Sequence, residues 1–151
     1  MTDLDFTEAK LGRIFVLRLQ QDEILHEVIE KFASEKQVSS ALCFFLGGAE
    51  EESKVVVGPK DGHCCTIDPM VALLKGVHEA VGVGTIFASE EGKPILHMHA
   101  SFGRNDNAVT GCVRKGVNIW LIGEVVILEL TGSSARREKN KDTSFEVLEV
   151  K

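Results

Sequence analysis

The run Ile119-Trp120-Leu121-Ile122-Gly123-Glu124-Val125-Val126-Ile127-Leu128 constrains the fold more than any other segment. A strand points successive side chains to opposite faces, so a run that is apolar at both parities belongs inside a sheet and not at a solvated edge. Gly123 within it marks a bulge or a close backbone approach. The other apolar runs are short, rich in β-branched and aromatic residues, and separated by glycines or polar turns. They predict strands near 11–19, 41–47, 53–58, 63–67, 80–88, 94–102, 108–114, 117–130 and 144–150. One segment is different. Asp22 is placed to cap a helix in which Ile24, Leu25, Val28, Ile29, Phe32 and Ala33 recur at helical spacing to about Lys36. A helical turn is expected at 69–75 and a polar surface loop at 133–142. One helix followed by many strands predicts an α+β fold with a largely antiparallel sheet.

Composition narrows the function classes. The chain has 151 residues, and 17 Lys+Arg against 23 Asp+Glu give a formal net charge of −6. For a mass of 16.5 kDa, area scaling gives a folded surface of ~7,500 Å², which fits one ordinary core. With 44% hydrophobic and 26% charged residues, the chain is neither disordered nor a coiled coil. No apolar run approaches the ~18–20 residues that span a bilayer. The segment MTDLDFTEAK lacks the features of a secretory leader. The expectation is a cytoplasmic protein with no membrane attachment. A pI near 5.4 argues against gripping DNA by its phosphates. Cys43, Cys64, Cys65 and Cys112 form no CxxC pair, so reduced thiols are expected. There is no GxxxxGK[ST], GxSxG or strand-following GxGxxG, which leaves nucleotide-dependent transfer and serine hydrolysis without support.

The segment Pro94-Ile95-Leu96-His97-Met98-His99-Ala100-Ser101-Phe102-Gly103-Arg104 carries the chemistry. Residues i and i+2 of a strand share a face, with Cα atoms ~6.6 Å apart. His97 and His99 can therefore reach one ion at the ~2.0–2.1 Å of a Zn–N bond. If Asn105-Asp106 is a two-residue turn, Cys112 falls opposite His99 on the same face. Two imidazoles and a thiolate are a zinc-type set with one coordination position left open. The alternative is two histidines satisfied by backbone carbonyls or lining a polar pocket, with Cys112 as packing.

Other groups have competing readings. In His63-Cys64-Cys65 only His63 and Cys65 share a strand face. Cys43 reads as core, and His78-Glu79 as a solvated loop. Glu124 lies inside an apolar run and needs a partner. It is a candidate catalytic acid/base or metal-supporting carboxylate, with an ion pair to Arg104 or Arg114 as the structural alternative. Arg136 and Arg137 are candidates for contact with nucleic-acid phosphate, with a solvated loop as the alternative.

Several of these features together resemble a known family. They are the early Gly12-Arg13 strand, the acid-started helix, the strand ending Gly47-Gly48-Ala49, Leu74-Lys75-Gly76, and Gly92-Lys93-Pro94-Ile95-Leu96-His97-Met98-His99-Ala100-Ser101. The pattern is similar to the PPC domain, conserved in plants and prokaryotes, from about Leu11 to Val150. Residues 1–10 are then an N-terminal tail and 11–151 the domain. The resemblance implies an α+β homotrimer and carries the DNA-binding or regulatory label of stand-alone prokaryotic members. It also implies a fold similar to acetolactate decarboxylase, a zinc enzyme whose ion is held by an HxH pair and a third histidine. A small zinc-dependent lyase or decarboxylase is therefore the alternative function. Thr110-Gly111-Cys112-Val113 stands where the family has Gly-Gly-His-Leu, so Cys112 replaces the third histidine. The plant Gly-Arg-Phe-Glu-Ile-Leu motif, which would align with Ile67–Ala72, is absent, as is any Arg-Gly-Arg-Pro AT-hook.

Overall fold

A computed structural model describes residues 4–63, 67–141 and 145–150. Its elements are β1 (Lys10–Gln20), α1 (Leu25–Glu35), β2 (Ser40–Ala49), β3 (Lys54–Pro59), β4 (Pro69–Leu73), β5 (His78–Ala88), β6 (Pro94–Arg104), β7 (Asn107–Cys112), β8 (Ile119–Thr131), β9 (Arg136–Lys139) and β10 (Glu146–Glu149). A 3-10 turn at Val113–Lys115 precedes β8. The first eight strands form one sheet in the order β1-β8-β2-β5-β6-β7-β3-β4, and β9 and β10 form a separate ribbon. Every strand pairing within these two sheets is antiparallel. The fold is α+β.

β8 is an interior strand, flanked by β1 and β2. Its odd-numbered residues Val125 and Ile127 join Leu19, Cys43, Phe45, Ile86, Met98 and Phe102 in the core. The helix supplies Leu25, Ile29 and Ala33 to the same side. At Gly123 core side chains crowd the backbone: a Cβ there would meet Ile119 Cδ1 at 3.0 Å and Phe45 Cε2 at 3.1 Å. A register shift between Gly47 and Gly48, opposite 120–123, makes the expected bulge.

Three local expectations are corrected. Asp22 does not cap the helix: its φ is +67°, and α1 begins after Ile24 with no side-chain cap. The helix entry is tied instead to the chain before β8. The N–H groups of Asp22 and Leu25 donate to the carbonyls of Ile119 and Val117 at 2.9 and 3.0 Å. The segment expected as a helical turn is β4, whose backbone finds partners on β3. The polar loop contains β9, which pairs with β10. Part of the strand expected at 63–67, with Cys64 and Cys65, lies outside the described residues.

The carboxylate that β8 buries is Glu129, and Glu124 is exposed. Arg13 satisfies Glu129 with its backbone N–H at 2.9 Å, Nε at 2.8 Å and Nη2 at 2.7 Å. These donors hold the Glu129 carboxyl down at about 2. A carboxylate whose folded pKa is depressed stabilises the fold fully above its ordinary value of 4.5 and loses that contribution as pH falls toward about 2. Glu129→Gln should therefore be less stable than wild type at neutral pH, and the gap should close on acidification through this window. Denaturation midpoints measured across that range check it; a gap independent of pH would refute it.

Candidate metal centre

The β6–β7 hairpin turns through Asn105-Asp106, with Asn105 at φ +52° and Arg104 paired with Asn107. That register sets His99 directly opposite Cys112. Leu96, Met98, Ala100 and Phe102 take the inward positions of β6, so His97 and His99 face the other side of the sheet. The start of β6 is fixed from the helix, because Glu30 Oε1 accepts the Leu96 N–H at 2.8 Å.

The two Nε2 atoms lie 3.2 Å apart. Two nitrogens on one tetrahedral zinc, each at ~2.0–2.1 Å, would be about 3.3 Å apart. The ligand atoms of His97, His99 and Cys112 all fall within 4.8 Å of one another, and this is the one such group among the described residues. His97 is held below its ordinary 6.5 by burial, then by Arg137 and Arg114. His99 is lowered by burial, then by His97 and Arg114. Both rings are thus biased to the neutral form that a metal requires. Arg114 Nε donates to Cys112 Sγ at 3.1 Å, which orients the thiol from behind. The donor set and spacing fit zinc.

This group opens on a cavity of about 760 Å³. One wall is Val56, Pro59 and Pro69 of β3 and β4, and another is Val147 and Leu148 of β10. Arg114, Lys115 and Arg137 bring positive charge to it, against a single carboxylate among the described residues, Glu146.

The remaining candidates separate from this site. Glu124 does not line the cavity; it sits opposite Arg18 on β1, both exposed. Arg104 donates to the Val77 carbonyl, and Arg114 to Cys112, so neither pairs with Glu124. Cys43 is in the core, and its thiol is pushed up to about 12 by burial. His63 is exposed in a turn. His78 is no loop residue: it opens β5, is buried, and its Nδ1 lies 2.8 Å from the Gly76 carbonyl oxygen. Arg136 pairs with Glu138 on β9 at 2.5 Å. Arg137 is 6% exposed, covers the Phe87 ring at 5.7 Å and donates to Thr85 Oγ1 at 3.1 Å. It is a cavity residue; the sequence singled it out only for contact with nucleic-acid phosphate, because a basic run between polar residues reads as a loop.

The family model described as the Plants and Prokaryotes Conserved (PCC) domain matches residues 6–131. The chain belongs to this family. No curated protein is similar enough in sequence to count as a relative. Among solved structures, this PPC chain is similar to a plant- and prokaryote-conserved protein of Pyrococcus horikoshii, with a TM-score of 0.82 and 22% identity over 98% of this chain and 99% of that one. A metal-containing protein of Archaeoglobus fulgidus gives a TM-score of 0.79 and 23% identity over 95% and 98% of the two chains. A protein of Bacteroides thetaiotaomicron, described provisionally as DNA-binding, gives 0.76 and 16% over 94% and 97%. The β9–β10 ribbon lies beyond the residues matched by the family model. No described helix of this PPC chain is long and apolar enough to cross a membrane.

Proposed function

We propose that this PPC protein holds one zinc ion on His97, His99 and Cys112 and works on a small molecule bound beside it. The observation that carries this reading is the 3.2 Å approach of two Nε2 atoms at the floor of an open cavity. Three protein ligands leave a position for water or a ligand oxygen. An ion there would polarise a carbonyl or bring the pKa of bound water to ~7, which is lyase- or decarboxylase-type chemistry. The metal-containing Archaeoglobus relative is in keeping with it. Elemental analysis of protein purified without a histidine tag, loaded with zinc and dialysed, should find one zinc per chain. Protein that retains none would overturn the reading.

A DNA-binding or regulatory role is the second reading: the regulatory label comes from the family resemblance, and two similar solved structures are provisionally described as DNA-binding. The net charge of −6 and the burial of Arg137 oppose direct phosphate contact. Fluorescence anisotropy with random duplex near physiological salt should detect no binding; a sub-micromolar, salt-sensitive affinity would restore the DNA role.

The sheet face that carries the histidines supports self-assembly, and the family resemblance implies a homotrimer. Val16, Phe44, Leu46, Val81 and Val83 stand on that face between 42% and 80% exposed. The chain exposes 9572 Å², well above the ~7,500 Å² of a compact monomer of this mass. Large apolar side chains exposed side by side on one sheet face are normally covered. Light scattering at micromolar concentration should give three times the 16.5 kDa chain mass. A monomer mass would refute the assembly.

A further inference from the structure

Arg137 presents a chemical problem that its neighbours do not solve. Its side chain is buried, and among the described residues its Nε–H has no hydrogen-bond partner. One Nη is engaged by the Thr85 hydroxyl, and the ring of Phe87 lies beneath the guanidinium. Burial and Arg114 both work against its charge, and Glu146 is the acidic group that favours it. A buried, always-charged group with an unmet donor is costly unless something anionic completes it. Arg137 lines the same cavity as the histidines and sits on their side of the sheet, because Thr85 is paired directly with His97. The cavity between them has apolar walls.

We propose that this cavity binds an organic carboxylate, with the anion on the Arg137 guanidinium and the apolar body against the β3 and β10 walls. The geometry favours a carboxylate over a phosphate group. A single buried guanidinium, with Nη2 on the Thr85 hydroxyl and Nε unpartnered among the described residues, suits a planar monoanion, whereas a phosphate dianion would call for more buried donors. The proposal rests on the zinc reading only in placing an ion at the carboxylate molecule's other end.

Calorimetric titration with a matched pair of probes, 3-phenylpropanoate and 3-phenylpropanamide, tests it. The pair shares one body and differs in charge. Wild-type protein, zinc-loaded and zinc-free, should bind the carboxylate at least about tenfold more tightly than the amide. Arg137→Gln should lose that preference while keeping its zinc content, and Arg137→Lys should recover part of it. Equal affinity for the two probes, no binding of either, or an unchanged preference in Arg137→Gln would overturn the proposal. The wild-type comparison decides even where Arg137→Gln fails to fold. Zinc content, measured on the same samples, reports separately on the metal reading: zinc-free protein that still prefers the carboxylate upholds the anion site without the ion.

Discussion

Alanine at His97 or at His99 will abolish zinc retention in a protein that still folds. Each substitution removes one of the two nitrogens held 3.2 Å apart and leaves a two-ligand site. Affinity should fall by more than about a hundredfold, since even outer partners of ligands are worth ~10–100-fold. The fold should survive because both rings face away from the core, which is built from the opposite side of β6. Cys112→Ser should weaken binding and not abolish it, as a hydroxyl is a poorer zinc ligand than a thiolate. Cys43→Ser serves as the control for thiol loss: its buried thiol, pushed up to about 12, stays neutral and faces the core. Zinc content after dialysis, read beside circular dichroism, checks all four variants. Histidine variants that keep their zinc would show that the ion sits elsewhere.

Gly111→Ala should cost about 2–3 kcal/mol of stability and weaken zinc binding as well. A Cβ at Gly111 would lie 2.2 Å from the Val56 carbonyl oxygen and 2.8 Å from Val55 Cγ1. The first of these is backbone, so no rotamer change relieves it. β3 must move off β7 where Val56 pairs with Cys112, disturbing a ligand and a cavity wall together. Gly103→Ala is the matched control on the preceding strand, since its Cβ would meet only the Glu79 carbonyl oxygen at 4.0 Å. It should stay within about 0.5 kcal/mol of wild type. Urea denaturation and zinc titration of both variants test the contrast. A Gly111→Ala protein as stable as Gly103→Ala would mean that the two strands are not so tightly apposed.

The grouping of His97, His99 and Cys112 was legible because its logic is local. Strand periodicity puts His97 and His99 on one face, and the two-residue turn at Asn105-Asp106 fixes the register to Cys112. What failed was non-local. Glu124 and Glu129 lie at opposite parities of the same strand, and only the tertiary fold shows that the odd face is the buried one. The helix entry rests on carbonyls nearly a hundred residues away, so nothing near Asp22 reveals it. The five residues of β4 are too few to separate helical from strand periodicity. Arg137 became a cavity residue only because the ribbon folds over Phe87 and Thr85, some fifty residues earlier in the chain.

That ribbon divides the labour of the site. The proposed zinc ligands His97, His99 and Cys112 come from neighbouring strands of the main sheet, whose register cannot change without rebuilding the core. Arg137, the proposed anchor for a guest, and one cavity wall come from β9 and β10, a two-stranded appendage with its own hydrogen-bond ladder. Rewriting the appendage would thus alter which guest is admitted while leaving the ion's chemistry intact. One scaffold could in this way be retuned to new substrates by editing β9 and β10 alone.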